Sequence, residues 1–487
     1  MDFYLKIATE IQKFFKEDLI DLPPAMAGKI LRVEVQIATL EPLNWLARQT
    51  ADVKTYWSDR QGGFAMAGVG VLNAIAGDIP IDYPTIFGQL RQNLSPLFPQ
   101  VRYYGGIGFS QQQAIDPSWK LFGNYRFIVP RFELWTDGID TFFACNFCCN
   151  WVGDLGGERL DAPRDRIAHQ ALSAILAELN QLDFAQPEID SGAVAEDSSQ
   201  PLLCERVDRP TQLDWHRNID LALAKFADLK LDKIVLARQS TLTFTTDLQP
   251  QSLLRSLKPH NLHTYHFCFQ IDPTTAFIGT SPERLYYRQD RVLKTEAIAG
   301  TRQRGASAGI DRQLSDNLLN SAKDIHEHQL VVNNLQTTLD RLCDRVSIDR
   351  QLTILKLNKV QHLYTQCHGI LKPDLTDAEI LPQLHPTPAV GGVPRPQALK
   401  LIQDLEPFVR GWYAAPVGWV GYDDTEFAVA IRSGLVDRDR LLLFAGAGIV
   451  RGSQSAEEWD EIENKIRHFT DLFTELSPQQ ISDLSLA

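Results

Sequence analysis

Four charged residues in the second half of the chain could carry acid–base or metal chemistry. Lys233 opens the apolar run IVLA, and Glu283 stands in GTSPERL between two strand-like segments. Burial lowers the pKa of a lysine and raises that of a glutamate, so a dry pocket would make Lys233 a base and Glu283 a proton donor. The alternatives are a lysine that leads its head group to solvent and a solvated carboxylate in a turn.

Glu327 and Glu461 lie in sequences with helical character. Glu327, in SAKDIHEHQLVV, follows Lys323 by four residues, and Glu461, in SAEEWDEIENK, precedes Lys465 by four. This spacing is equally typical of ordinary ion pairs on a helix surface. The HEH run is a weak zinc signal, because its two histidines point to different sides of a helix. The local sequence therefore leaves both interpretations open.

The bulk composition excludes some classes of function. The chain has 487 residues, with 48 Lys and Arg against 61 Asp and Glu, which gives a net charge of −13. This balance argues against a nucleic-acid binder. The seven cysteines are few and odd in number, as in a reduced cytoplasmic protein. Cys145 and Cys148 form a C-x-x-C within a strand-like run, without a second pair to complete a zinc site.

Neither a targeting signal nor a cofactor loop is predicted. The first 19 residues read as an amphipathic helix rather than a secretion signal, and the most apolar stretch, FAMAGVGVLNAIAG, is shorter than the roughly 20 residues of a membrane span. The glycines at 446 and 448 lack the third glycine of the dinucleotide pattern, and there is no Walker sequence. We therefore expect a cytoplasmic protein that uses neither ATP nor NAD.

The elements that must position these residues lie on both sides of a polar seam at 186–202. Strand-like pieces precede it (VEVQIA, GGFAMAGVGV, RYYGGIGFS, RFIVPRFELW) and a denser series follows, with one long helix expected from Asp311 to Cys343 and a last helix from about Ser455 to Leu476. Strands in runs with helices in blocks predict an α+β fold with largely antiparallel sheets. We divide the chain into residues 1–202, which contribute strands and helices to the same fold, and a catalytic region, 203–487.

Longer motifs go beyond this local reading. KIVLAR, FIGTSPERL, TEAIAGTRQRG, SAKDIHEHQLVV, LHPTPAVGG, AIRSG, FAGAGIVRGS and EEWDEIENK occur in that order, and together they resemble the chorismate-utilising enzyme family. The resemblance covers about residues 215–478 strongly and the N-terminal strands less specifically. It implies a single large unit in which two antiparallel sheets pack face to face with helices outside.

The resemblance assigns roles to individual residues. Lys233 matches the family lysine that activates water for attack on C2 of chorismate, and Glu283 matches the acid that protonates the departing C4 hydroxyl. Glu327 and Glu461 match the ligands of Mg²⁺, a cation that prefers oxygen ligands. The residues implied to bind the substrate are Gly300, Thr301, His385, Ile431, Arg432, Gly446 and Lys465.

The same resemblance separates the branches of the family. Lys233 points to water as nucleophile and away from anthranilate synthases, and Ala299 stands where aminodeoxychorismate synthases have a nucleophilic lysine. The chain thus resembles isochorismate synthases of quinone pathways, with no amidotransferase subunit and a monomeric state expected. A salicylate synthase, which also eliminates pyruvate, is the alternative, and an inactive chorismate-binding regulatory relative is a second. The sequence does not separate quinone, siderophore and salicylate pathways.

Overall fold

The protein is described by a computed structural model that covers residues 2–19, 22–110, 116–148, 163–185 and 201–474. Most of the polar seam, at 186–200, and the end of the last predicted helix, at 475–476, lie outside the described residues. The helices are α1 (Asp2–Lys13), α2 (Pro42–Arg48), α3 (Tyr83–Asn93), α4 (Pro163–Leu179), α5 (Gln212–Leu229), α6 (Pro250–Leu257), α7 (Ala308–Leu319), α8 (Ala322–Leu342), α9 (Asp377–Leu384), α10 (Arg395–Leu405) and α11 (Ser455–Thr474).

The strands occur in runs, as the sequence predicts. They are β1 (Ile30–Ile37), β2 (Lys54–Ser58), β3 (Ala65–Val69), β4 (Asn73–Gly77), β5 (Tyr103–Ile107), β6 (Tyr125–Val129), β7 (Phe132–Thr136), β8 (Thr141–Cys148), β9 (Leu203–Arg209), β10 (Lys233–Phe244), β11 (Tyr265–Gln270), β12 (Thr275–Ser281), β13 (Arg284–Gln289), β14 (Val292–Gln303), β15 (Cys343–Ile348), β16 (Thr353–Lys356), β17 (Val360–Leu371), β18 (Gly392–Val393), β19 (Pro416–Val420), β20 (Asp424–Val429), β21 (Ser433–Asp437) and β22 (Arg440–Ile449).

Two antiparallel sheets contain these strands, which confirms the predicted fold class. The first has the order β1-β8-β7-β3-β2-β11-β12-β21-β22-β10-β18, and β9 also pairs with β10. The second has the order β15-β17-β14-β13-β20-β19-β5-β6-β4, and β16 also pairs with β17. Both sheets contain strands from either side of residue 202, because β2 pairs with β11 and β5 pairs with β19.

The core has two parts, one on each face of the first sheet. Aromatic side chains of both sheets fill the inner part, for example Trp57 and Phe277 of the first sheet with Tyr104 and Phe427 of the second. The outer part lies between the first sheet and helices that include α1, α5 and α11. The first half of β10 is buried on both faces, while its second half alternates. Its start therefore lies inside the molecule, where a lysine is unusual.

The prediction of one long helix from Asp311 to Cys343 is wrong, because the structure has two helices there, α7 and α8. The break falls at Asn320 and Ser321, where the Ser321 side chain accepts a hydrogen bond from the amide of Asp324 and begins a new helix. A serine cap can interrupt a helical pattern in this way, since it satisfies an amide that the helix would otherwise leave free. A similar cap begins α5, where the Thr211 side chain accepts a hydrogen bond from the amide of Asp214. No helix in the described parts of the chain is long and apolar enough to cross a membrane.

Candidate active site

A cavity of about 460 Å³ is lined by residues from β10, β14, β22, α8 and α11 and from the β12–β13 and β20–β21 connections. All of the predicted site residues except His385 line it. They are Lys233, Glu283, Gly300, Thr301, Glu327, Ile431, Arg432, Gly446, Glu461 and Lys465. Residues that are more than 200 positions apart in the sequence therefore meet at one site.

Lys233 is a buried amine at the start of β10, with 1% of its surface exposed. Its Nζ donates a 2.7 Å hydrogen bond to Oε1 of Glu327, so its head group points to the cavity and not to solvent. Gly448 on β22 makes room for this pair. A Cβ atom at that position would lie 3.0 Å from both the Glu327 Oε1 and the Lys233 Cε. Because Gly448 has no side chain, Lys233 and Glu327 can lie within hydrogen-bond distance of each other.

Glu283 occupies the connection between β12 and β13 and is 5% exposed. Its amide donates to the Ser281 hydroxyl at 3.2 Å, and its carbonyl accepts from the amide of Val429 at 3.0 Å. Burial, reinforced by the charge of Glu296, raises the pKa of Glu283 to about 8, although Lys233 and Arg60 act in the opposite direction. Its carboxyl group is therefore largely protonated at neutral pH and can donate a proton.

The two predicted metal ligands come from different helices. The side chain of Glu327 on α8 is 18% exposed, and that of Glu461 on α11 is 41% exposed. The surface pair of Glu327 with Lys323, one of the two interpretations that the sequence left open, is not formed. Glu327 binds Lys233 instead, and Lys323 lies 3.8 Å from Glu458. The pair of Glu461 with Lys465 does form, at 2.6 Å, and it too faces the cavity.

The carboxylates at this side of the cavity have a composition that fits Mg²⁺. Glu327, Glu457, Glu458 and Glu461 all line it, and burial together with the charge of Glu461 raises the pKa of Glu458. A divalent cation would offset this concentration of negative charge. Among the described residues, no group of three His, Cys, Asp or Glu side chains could hold a metal by itself. Mg²⁺ often takes one or two protein carboxylates and completes its shell with water and substrate oxygens, so Glu327 and Glu461 have the donor chemistry for it.

Arg432 and Lys465 supply positive charge to the same cavity, and Lys465 lies beside Glu461 on α11. Burial lowers the pKa of Arg432 to about 10, so it remains protonated at neutral pH. The Arg432 Nη2 lies 3.3 Å from Nε2 of His362, whose pKa burial lowers to about 3. Lys465 Nζ donates to the Gly446 carbonyl at 2.9 Å and so ties α11 to β22. These two cations can bind the carboxylates of an anionic substrate.

A bulge in β14 shapes the floor of the cavity. The strand register shifts between Ala299 and Thr301, and Gly300 there has a φ of 70°. Glycine tolerates this left-handed conformation, which would strain other residues. The bulge brings consecutive residues of the AIAGT motif to the cavity.

His385 is the one predicted site residue that does not line the cavity. It is 7% exposed, packs edge to face against Phe109, and has its pKa lowered to about 3 by burial. Its carbonyl accepts a hydrogen bond from Arg395. A neutral ring packed in this way serves the local core, and we assign it no contact with the substrate.

Two charged residues next to Glu283 escaped sequence reasoning. Glu296 lies inside the motif TEAIAGT, and Arg60 lies far away in the N-terminal half, between β2 and β3. A carboxylate within an otherwise apolar strand was a usable signal for Glu296. Nothing local marks Arg60, because only the pairing of β2 with β11 brings it to the site.

The C-x-x-C lies in a strand of the first sheet. Cys145 and Cys148 lie on β8. Burial raises the pKa of Cys145 to about 12 and also raises that of Cys148. Thiols in this state are protonated and poor metal ligands.

Comparisons with known proteins found one matching family and several similar proteins. The family model for chorismate binding enzymes matches residues 24–474. The chloroplastic isochorismate synthase of Catharanthus roseus is 33% identical over 418 residues, or 85% of this chain and 69% of that protein. The isochorismate synthase of Escherichia coli (strain K12) is 31% identical over 466 residues, or 94% of this chain and 97% of that protein.

Solved structures extend the likeness to the fold. The menaquinone-specific isochorismate synthase from Escherichia coli superposes with a TM-score of 0.78 at 28% identity and covers 96% of this chain and 100% of its own. Anthranilate synthase component I from Streptococcus pneumoniae TIGR4 has a TM-score of 0.65 at 21% identity, covering 84% and 92%. The second likeness concerns the fold alone.

Proposed function

Because the chain belongs to the chorismate binding enzyme family, we propose that it is an isochorismate synthase, which converts chorismate to isochorismate. The proposal depends most on one observation. A buried lysine, Lys233, and a buried glutamic acid, Glu283, whose pKa burial raises to about 8, line the same cavity. The exchange of a hydroxyl group between two carbons of a ring needs this combination, one group to take a proton and one to give it.

The proton transfers follow from these two groups. Water adds to C2 of chorismate and loses a proton to the Lys233 amine. The ring double bonds shift, the C4–oxygen bond breaks, and Glu283 gives its proton to the departing hydroxyl, which leaves as water. One water enters and one leaves, so the reaction is an isomerisation. Return of the Lys233 proton to Glu283, through water, restores the starting state.

The cations of the site suit a dianionic substrate. Arg432 offers a planar fork for a carboxylate, and Lys465 on α11 offers a point charge. Gly300 and Thr301 line the same cavity and would contact the ring. Ile431 and the stacked pair of Tyr413 and Phe444, with ring centroids 5.3 Å apart, provide apolar contacts that help to exclude bulk water.

Glu327 and Glu461 are the proposed ligands of Mg²⁺. These two carboxylates would hold the cation, which when bound would supply positive charge for a substrate carboxylate. The hydrogen bonds that both glutamates now accept from Lys233 and Lys465 come from donors that can move, because a lysine amine swivels on a flexible stem. The carboxylates can therefore change partner without a rearrangement of their helices.

The nucleophile is assigned to water and not to an amine. Ala299 lines the cavity at the position of the nucleophilic lysine in aminodeoxychorismate synthases, and it offers no amine. Salicylate formation would require a further elimination of pyruvate, and no residue described above is needed only for that step.

We propose a monomer without an amidotransferase subunit, and a quinone pathway as destination, since a menaquinone-specific enzyme matches the chain over nearly its full length.

The test is an assay of the purified protein with chorismate and Mg²⁺, with products separated by chromatography. We expect isochorismate without pyruvate, no response to added ammonium, and loss of turnover on chelation. Salicylate with an equal amount of pyruvate would replace the proposal with the alternative activity. A lack of any product would indicate a binding or regulatory protein.

A further inference from the structure

The backbone on both sides of Glu283 is held by one buried ion pair, formed by Arg60 and Glu296. The Arg60 Nη1 donates to the carbonyl of Pro282 at 2.7 Å, and the Glu296 Oε1 accepts from the amide of Arg284 at 2.8 Å. Pro282 and Arg284 are the two neighbours of Glu283 in the chain. The pair itself is bidentate, with distances of 2.6 and 2.7 Å. It therefore brackets the connection that carries the acid.

We propose that Arg60 and Glu296 are positioning residues, which fix Glu283 in the cavity and keep it ready to donate its proton. This inference rests on the proposed function, because it assigns the pair a role through the acid of that reaction. Neither Arg60 nor Glu296 lines the cavity. Each touches the backbone next to Glu283 instead, so neither is assigned a direct contact with the substrate.

Burial makes the pair strong enough to act in this way. The side chain of Glu296 is 1% exposed, and that of Arg60 is 11% exposed. The Glu296 Oε2 also accepts from the Tyr364 hydroxyl at 3.2 Å, and the guanidinium of Arg60 lies 5.4 Å from the centre of the Tyr265 ring. A bidentate pair with its remaining acceptors filled is rigid, and its charges are poorly screened by water.

The charges that face Glu283 come from three elements. Glu296 on β14 disfavours its ionised form, while Lys233 on β10 and Arg60 between β2 and β3 favour it. The effect of Glu296 is the largest of the three, and burial acts in the same direction as Glu296. The ion pair as a whole therefore favours the protonated acid, although its two members act in opposite directions. Because the two charges act in opposite directions, removal of Glu296 should lower the pKa of Glu283, and removal of Arg60 as well should raise it again.

The experiment compares Glu296→Gln with the double variant Arg60→Gln/Glu296→Gln. In the single variant, Arg60 loses its partner, and its charge now only favours ionisation of Glu283. The high-pH limb of kcat/KM should move down by about one pH unit or more. Removal of Arg60 as well should move the limb part of the way back. If the pair has only a structural role, the double variant should lose more activity than the single variant, and the high-pH limb of kcat/KM should not move.

A matched control is Glu426→Gln. Glu426 is also buried and forms an ion pair with Arg284 at 3.1 Å, but the largest effects on Glu283 come from other charges. This variant should lower the melting temperature about as much as Glu296→Gln, because both break a buried pair, while its high-pH limb stays with the wild type. A limb that moves equally in the control would contradict the inference.

A direct titration of Glu283 tests the positioning role separately from the proposed function. The infrared carbonyl band of its protonated carboxyl, taken as wild type minus Glu283→Gln, reports its proton without any turnover. We expect a midpoint near pH 8, lowered in Glu296→Gln and partly restored in the double variant. Equal midpoints in all three proteins would overturn the positioning role alone. The expected shifts without formation of isochorismate would overturn the proposed function alone.

Discussion

The acid at one side of the cavity and the carboxylates at the other side are held by different kinds of structure. Glu283 stands between two strands, 5% exposed, with its neighbours bound on both sides by a buried ion pair. Glu327 and Glu461 project from helices, more exposed, and each is bound by a single lysine. A proton donor needs a fixed and dry environment, whereas a metal ligand must be able to exchange partners. The comparison supports the proposal that similar side chains serve two purposes in one cavity.

Loss of the acid should produce the largest effect. Glu283→Gln removes the proton that the departing hydroxyl takes up, and turnover should fall by about 10² to 10⁴-fold, the usual contribution of general acid catalysis. The kcat for isochorismate formation, measured at several pH values, checks this. Similar activity in the variant and the wild type would remove Glu283 from the reaction.

Replacement of a proposed metal ligand on a helix should affect the binding of Mg²⁺ and not the proton of Glu283. Glu327→Gln should raise the Mg²⁺ concentration for half-maximal rate by about tenfold or more, equivalent to about 1.4 kcal/mol of binding free energy. Asp340→Asn, an exposed change on the same helix, is the control. If both variants respond to Mg²⁺ as the wild type does, Glu327 is not a ligand.

Lys233 and Glu327 meet at Gly448, where a methyl group should disturb both. Gly448→Ala would place a carbon 3.0 Å from the Lys233 Cε and from the Glu327 Oε1, so one of them must move. We expect a drop of about tenfold or more in kcat/KM, or about 1.4 kcal/mol. Gly88→Ala on α3, where nothing lies within 4 Å, should leave the rate unchanged. A fully active Gly448→Ala would show that this close approach is dispensable.

The smallest effect concerns stability and depends on the proton of Glu283. Its pKa is about 8 in the folded protein against an ordinary 4.5, so between these values the folded state holds a proton that the unfolded state has lost. The free energy of unfolding must therefore fall as the pH rises through this window. Glu283→Gln cannot lose that proton. From pH 5 to pH 9, the melting temperature of Glu283→Gln should rise relative to that of the wild type. A difference between the two melting temperatures that stays constant over this range would contradict the raised pKa of Glu283.

The sequence contained most of the information for the sheets and less for the site. Runs such as KIVLARQSTLTF and ERLYYRQ predict β10 and β13 because their apolar residues are bounded by turn residues. The break between α7 and α8 was missed, since the cap at Ser321 interrupts a pattern that otherwise continues. Local patterns could not decide whether Glu327 and Glu461 were surface residues, because i,i+4 spacing is the same in either case.

Arg60 shows what no local pattern can supply. Its partner Glu296 is 236 residues away, and the two meet only because the N-terminal strands join the same sheets as the later ones. His385 shows the opposite problem, since a motif near the site does not guarantee a side chain in the cavity. The resemblance named the candidate residues of the site, and the structure shows which of them are buried and which lie within hydrogen-bond distance of one another.

One measurement tests the central claim most directly, namely that water attacks chorismate at this site. The protein is incubated with chorismate and Mg²⁺ in water enriched in oxygen-18, and isochorismate is isolated and analysed by mass spectrometry. The account predicts one heavy oxygen, in the hydroxyl at C2, and no pyruvate. Isochorismate without the label would mean that the hydroxyl moves within the substrate, and the roles given to Lys233 and Glu283 would then be wrong.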